Sequence, residues 1–120
     1  LSYTTFKYDN LELNILNKDK AEIEIKVNIT NTGKTYGAEI VQFYVSDIKS
    51  KEERPLKELK GFKKIWLKPG ETKTVSLTMK KDDFMYYNTY KSKWVFEKGE
   101  FIIKVGSSSQ DIKLSKNIVL

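Results

Sequence analysis

Apolar residues along this chain recur at every second position, in runs separated by short polar turns. In the stretch 22–31, Ile23, Ile25, Val27 and Ile29 point one way while Glu24, Lys26, Asn28 and Thr30 point the other. Val75, Leu77 and Met79 alternate with Thr74, Ser76 and Thr78. Phe101, Ile103 and Val105 share a face, and Ile112, Leu114 and Ile118 form a last such row. Side chains alternate across an extended backbone, so a period of two marks a strand with one buried face. The same reading predicts strands over 6–16, 39–46, 61–67 and 93–97. Between the strands lie Asn17-Lys18-Asp19, Asn31-Thr32-Gly33, Lys68-Pro69-Gly70 and Gly106-Ser107-Ser108-Ser109, all turn chemistry. Lys68-Pro69-Gly70-Glu71 suits a type II turn, with Pro second and Gly third. No stretch carries a sustained helical period, and 82–86 predicts one helical turn at most, with Asp82 as its N-cap. Short strands at regular spacing, each with one buried face, predict an all-β antiparallel β-sandwich forming a single domain over 1–120.

Two strands depart from the clean alternation. In 39–46, Val41, Phe43 and Val45 fill one face, yet Ile40 and Tyr44 lie on the other beside Gln42. Around Trp66, Ile65 and Leu67 take one face while Phe62 and Trp66 take the opposite one. A strand apolar on both sides either has something packed on its outer face or donates that face to an interface. Long Lys stems lying over those rings are the alternative. Gly61, next to Phe62, marks a bulge or a close backbone approach.

Length and composition narrow the chemistry. A 120-residue chain is one domain's worth. Area scaling gives roughly 20,000 Å² exposed when unfolded and about 7,000 Å² when folded, enough burial for a self-sufficient core. The sequence has no Cys and no His, which excludes disulfides, thiol nucleophiles, cysteine–histidine metal sites and every His-based acid–base mechanism. No apolar run approaches the length of a membrane-spanning helix and no signal peptide is visible, so no membrane partner is expected; the compartment stays unassigned. The first residue is Leu1 rather than Met, as expected of a piece of a longer polypeptide.

Of the net charge of +6, residues 49–68 carry +5. Lys49, Lys51, Arg54, Lys57, Lys60, Lys63, Lys64 and Lys68 stand there against Glu52, Glu53 and Glu58. Such clustering is either a footprint for an acidic partner or a solvated basic face. The single Arg among the 22 basic residues argues against nucleic acid, whose readout favours the planar guanidinium fork.

Four stretches together resemble the fibronectin type III-like, immunoglobulin-like domain at the C-terminus of glycoside hydrolase family 3 enzymes, the β-glucosidase and β-xylosidase family. The opening 1–8 is similar to the segment that leads into that domain, without the Gly-rich turn that usually precedes it. Asn28-Ile29-Thr30-Asn31-Thr32-Gly33 and then Gly37-Ala38-Glu39-Ile40-Val41-Gln42-Phe43-Tyr44-Val45 resemble its second and third strands. The most specific piece is Arg54-Pro55-Leu56-Lys57-Glu58-Leu59-Lys60-Gly61-Phe62-Lys63-Lys64, closing with Leu67-Lys68-Pro69-Gly70-Glu71. Trp94 to Gly99 and Phe101 to Ser109 complete the likeness, which covers almost the whole chain. The resemblance implies a non-catalytic accessory domain that packs on the catalytic domains of its own parent chain. A carbohydrate-binding module and an adhesion or scaffold sandwich are the alternatives.

Candidate residues follow from these readings. Tyr3, Phe6 and Tyr8 of the lead-in segment are expected at the interdomain contact, with Arg54 as a polar clamp whose geometry Pro55 restricts. Tyr86, Tyr87, Tyr90 and Trp94 crowd a short stretch, and flat rings with polar tips are what sugar faces stack on, which makes an oligosaccharide the alternative partner. The competing reading packs these rings at a sandwich corner. Retaining glycoside hydrolysis needs two carboxylates about 5 Å apart. In the family the nucleophilic Asp sits in a Ser-Asp-Trp-type motif of an upstream barrel, and Ser46-Asp47-Ile48 lacks the aromatic. Glu52-Glu53 and Asp82-Asp83 are adjacent pairs that point apart on an extended chain. Asp82, Asp83 and Asn88 match no calcium loop of known spacing. No catalytic residue, metal or cofactor is expected in this chain.

Overall fold

The computed structural model describes residues 3–48 and 57–120. Among them the chain order is β1 (Phe6–Asn17), β2 (Glu22–Asn31), β3 (Gly37–Asp47), β4 (Glu58–Leu67), β5 (Thr72–Met79), a 3-10 turn (Lys81–Phe84), β6 (Tyr86–Asn88), β7 (Lys93–Val95), β8 (Glu100–Ser108) and β9 (Asp111–Val119). Two antiparallel sheets face each other, one ordered β1-β2-β5 and the other β4-β3-β8-β9; β6 and β7 form a separate hairpin. The antiparallel sandwich predicted from the period-two pattern is the fold observed.

β2 shows why. Its inward positions Ile23, Ile25, Val27 and Ile29 are fully buried, and the register sets them against Met79, Leu77, Val75 and Lys73 of β5. From the opposite sheet, Val41, Phe43, Phe101, Ile103 and Val105 are buried at the alternating positions of β3 and β8. Each fully buried side chain of this size contributes about 1.5–3 kcal/mol relative to exposure. Phe84 extends this core as the buried residue of the 3-10 turn, its ring edge-on to Phe101 at 5.1 Å.

Two local expectations are corrected. The helical turn begins earlier than predicted, with Lys80, two residues before Asp82, at the cap position. The Lys80 amide donates to the Asp83 carboxylate at 2.9 Å, so Asp83 is the acid that finishes the turn. β1 is not one regular strand either. Asn10 has φ +54° and the register to β2 shifts between Asp9 and Glu12, so the inward parity passes from Phe6 and Tyr8 to Leu11 and Leu13. The extra residue of a bulge does that to any strand.

Candidate interdomain surface

The lead-in segment is fastened to the domain by a buried amide. Asn31 continues the inward parity of β2 and is fully buried. Its Nδ2 donates to the carbonyls of Thr35 and Leu67, both at 2.9 Å. Its Oδ1 accepts from the Thr4 hydroxyl and from the Gly33 amide. Its backbone N–H donates to Glu71 at 3.0 Å, and its carbonyl accepts from Gly70 at 2.8 Å. The Asn-Thr-Gly turn and the Lys-Pro-Gly-Glu turn are therefore two halves of one corner. Gly70 has φ +80°, as the third position of a type II turn requires. Gly33 is needed for room, since a Cβ there would lie 2.0 Å from the Thr4 hydroxyl oxygen.

The three lead-in aromatics separate. Tyr3 is 81% exposed, Phe6 is half-buried against the core, and Tyr8 is buried within this domain. The Tyr8 hydroxyl donates to the Glu39 carboxylate at 2.9 Å, tying β1 to β3 across the sandwich. Burial, with the charge and hydrogen bond of Glu39 beside it, pushes the Tyr8 phenol far above its ordinary pKa. Arg54 and Pro55 lie outside the described residues.

On the outer face of the second sheet, β4 is apolar toward solvent as well as toward the core. Leu67 and Ile65 face inward, while Phe62 and Trp66 stand exposed on the other side. The register pairs Phe62 with Gln42 and Trp66 with Ala38, then shifts so that Leu59 opposes Tyr44. That bulge brings Leu59 onto the face of Phe62. Gly61 borders that bulge, and a Cβ there would sit 2.9 Å from the Leu77 Cδ2 of the facing sheet. Ile40 is exposed on the same outer face, and Tyr36 stacks on Trp66 with centroids 5.5 Å apart and planes 17° apart. The Lys64 ammonium lies 5.2 Å from the Trp66 ring centroid. One lysine head thus sits by one ring of this face, while five large apolar side chains remain exposed on it.

The aromatic hairpin is the second exposed surface. Tyr86 is buried and its hydroxyl donates to Glu97 at 3.1 Å, whereas Tyr87, Tyr90 and Trp94 are exposed. The Asn88 side chain accepts from the amides of Tyr90 and Lys91, both at 3.0 Å, and so shapes the turn that presents Tyr90. Tyr87 and Trp94 meet edge to face at 77°, which offers single ring faces rather than one flat platform. A cleft of about 400 Å³ lined by Lys60, Asp82, Met85 and Trp94 lies alongside.

Several of the carboxylates are committed to neighbouring lysines: Asp9 to Lys7, Glu24 to Lys26, Glu58 to Lys60 and Asp111 to Lys113. Hydrogen bonds from Ser107 and Lys113 hold the Asp111 carboxyl below the usual range. Among the described residues no group of three or more His, Cys, Asp or Glu could hold a metal ion.

Strand order β1-β2-β5 against β4-β3-β8-β9, with both sheets antiparallel, defines a sandwich of the fibronectin type III class. Residues 39–109 match the family described as fibronectin type III-like domain, and the chain belongs to that family, in the form carried by glycoside hydrolase family 3 enzymes. It is 48% identical over 119 residues to the thermostable beta-glucosidase B of Acetivibrio thermocellus, covering 98% of this chain and 16% of that protein. It is 49% identical over 111 residues to a beta-xylosidase of Formosa agariphila, covering 92% of this chain and 15% of the relative. The crystal structure of the Bifidobacterium adolescentis GH3 beta-glucosidase superposes with a TM-score of 0.91 at 34% identity, over 100% of this chain and 18% of its own. The chain thus spans about one sixth of the length of the relatives it matches.

Proposed function

We propose that this domain is a non-catalytic accessory domain of a family 3 glycosidase whose parent chain hydrolyses β-glucosides or β-xylosides. Its role is to pack against the catalytic domains and stabilise them. The observation that carries this reading is the match itself: nearly all of this chain aligns, yet only to 15–16% of a beta-glucosidase and a beta-xylosidase. The chemistry of the chain agrees with it. Retaining hydrolysis uses two carboxylates about 5 Å apart, one of them kept protonated. The ion pairs above instead commit several acidic side chains to neighbouring lysines. Interfaces between domains of one chain typically bury about 600–1,500 Å², and such an area serves stability without touching the reaction.

The test is deletion of residues 1–120 from the parent enzyme. Thermal unfolding should fall by several degrees, while kcat per folded molecule for an aryl β-glycoside stays within about threefold. A truncated parent that melts unchanged would sink the accessory role. So would one that turns over a hundredfold more slowly per folded molecule, whatever its melting temperature, because the domain would then serve the chemical step.

A further inference from the structure

We propose that the outer face of β4 and β3, built from Tyr36, Ile40, Leu59, Phe62 and Trp66, is where this domain docks onto the remainder of its own polypeptide, against an apolar patch rimmed by carboxylates. The inference rests on the accessory-domain reading and locates the contact that reading requires. Leu59, Phe62 and Trp66 are between 48% and 61% exposed, along one strand, and Tyr36 and Ile40 widen the stripe at 52% and 44%. Apolar side chains scattered singly need no explanation, but a contiguous stripe on a sheet face marks an interaction site. None of these five is spent on the domain's own core, which lies on the opposite face of the same strands.

Charge selects the occupant. Lys64 and Lys68 are exposed at the outward parity of Phe62 and Trp66, and Glu58, the one acid in 57–68, is paired with Lys60 at 3.1 Å. A second copy meeting this face about a two-fold axis would set those lysines against their own counterparts, and like charges across an interface are unfavourable. A sugar polymer would need open ring faces, yet Trp66 already has Tyr36 stacked on it and Lys64 close to its ring. An acid-rimmed protein surface satisfies both the rings and the lysines. The relatives supply the source, since more than four fifths of their length lies outside the part this chain matches.

The experiment uses the full-length parent enzyme with Phe62→Glu, Phe62→Lys and, as reference, Tyr90→Glu on the exposed tip of the hairpin. Phe62→Glu should lower the melting temperature by about 4 °C or more and Tyr90→Glu by less than about 1 °C. Phe62→Lys should cost less than Phe62→Glu; the reverse order overturns the acidic rim. If deleting the domain destabilises the parent but Phe62→Glu does not, the docking face is wrong and the accessory role stands. If deletion itself has no effect, both fall. Loss of retention on insoluble glucan with Phe62→Glu, at unchanged melting, assigns the face to polysaccharide and overturns the proposal. Radical labelling of the unmodified parent is independent of any misfolding by a variant. Trp66 should react about fivefold more slowly than Trp94, and equal reaction counts against docking.

Discussion

Asn31 uses its whole side-chain hydrogen-bonding capacity inside the corner it holds, with two donors to Thr35 and Leu67 and two acceptor contacts from Thr4 and Gly33. Truncation would leave the Leu67 carbonyl buried, and the Thr35 carbonyl and Gly33 amide half-buried, without this partner, and a buried loss of that kind costs about 1–3 kcal/mol. We expect Asn31→Ala to destabilise by about 3 kcal/mol in urea unfolding, with Thr32→Ala, which loses only an exposed hydroxyl contact, within about 0.5 kcal/mol of the parent. An Asn31→Ala shift below about 1 kcal/mol would falsify the corner account. Tyr8 gives a prediction in pH. Its phenol stays protonated in the fold, whereas the unfolded phenol ionises near its ordinary value of about 10. Above that pH the unfolded state releases a proton that the folded state keeps, so stability falls as pH rises toward the raised folded value. Tyr8→Phe should therefore flatten the loss of stability between about pH 9 and 11, by at most about 1.4 kcal/mol per pH unit. Parallel curves for the two proteins over that range would count against the assignment.

At the scale of elements, what the sequence showed depended on how long each element is and how faithfully it alternates. β2, β5 and β8 have one buried face each, and period two located them to within a residue or two. The parity of Asn31 with Ile23 to Ile29 is visible in the stretch 22–31, but nothing local says which distant carbonyls its amide will meet. In β1 the switch of apolar parity between Tyr8 and Leu11 was the trace of the bulge, although nothing local to Asn10 demands a positive φ. β6 is three residues long, too short for alternation to show, whereas β7 falls inside the strand expected over 93–97; their pairing rests on an Asn88-capped turn. The crowding of rings in that stretch was legible, while the sorting of Tyr86 into the interior and of Tyr90 into solvent was not. Composition puts aromatics near each other; only the register of the hairpin decides which way each faces. The two-sided character of β4 was legible at Phe62 and Trp66, since periodicity assigns faces, but not at Leu59, which the bulge carries onto that side. What covers the second face is a tertiary question that periodicity does not address.

For the whole molecule, the arrangement of charge separates a docking surface from a merely solvated one. Nearly all of the net charge of +6 sits in residues 49–68, the segment that ends in β4 and its exposed stripe. A basic surface facing an acidic one accelerates encounter over a distance set by the Debye length, about 30 Å at 0.01 M salt and about 3 Å at 1 M. The apolar contact that follows is insensitive to moderate salt, so charge should act on association and the stripe on dissociation. The measurement is rebinding of the separately produced chain to a parent lacking residues 1–120, followed by stopped flow across a salt series. The association rate should fall about tenfold between about 0.01 M and 0.5 M salt while the dissociation rate changes by less than about threefold. Replacing Lys64 and Lys68 by Gln should flatten the association series, and Trp66→Ser should speed dissociation without altering its salt dependence. An association rate indifferent to salt would remove the acidic partner surface from the account and leave the lysines as a solvated rim around an apolar contact.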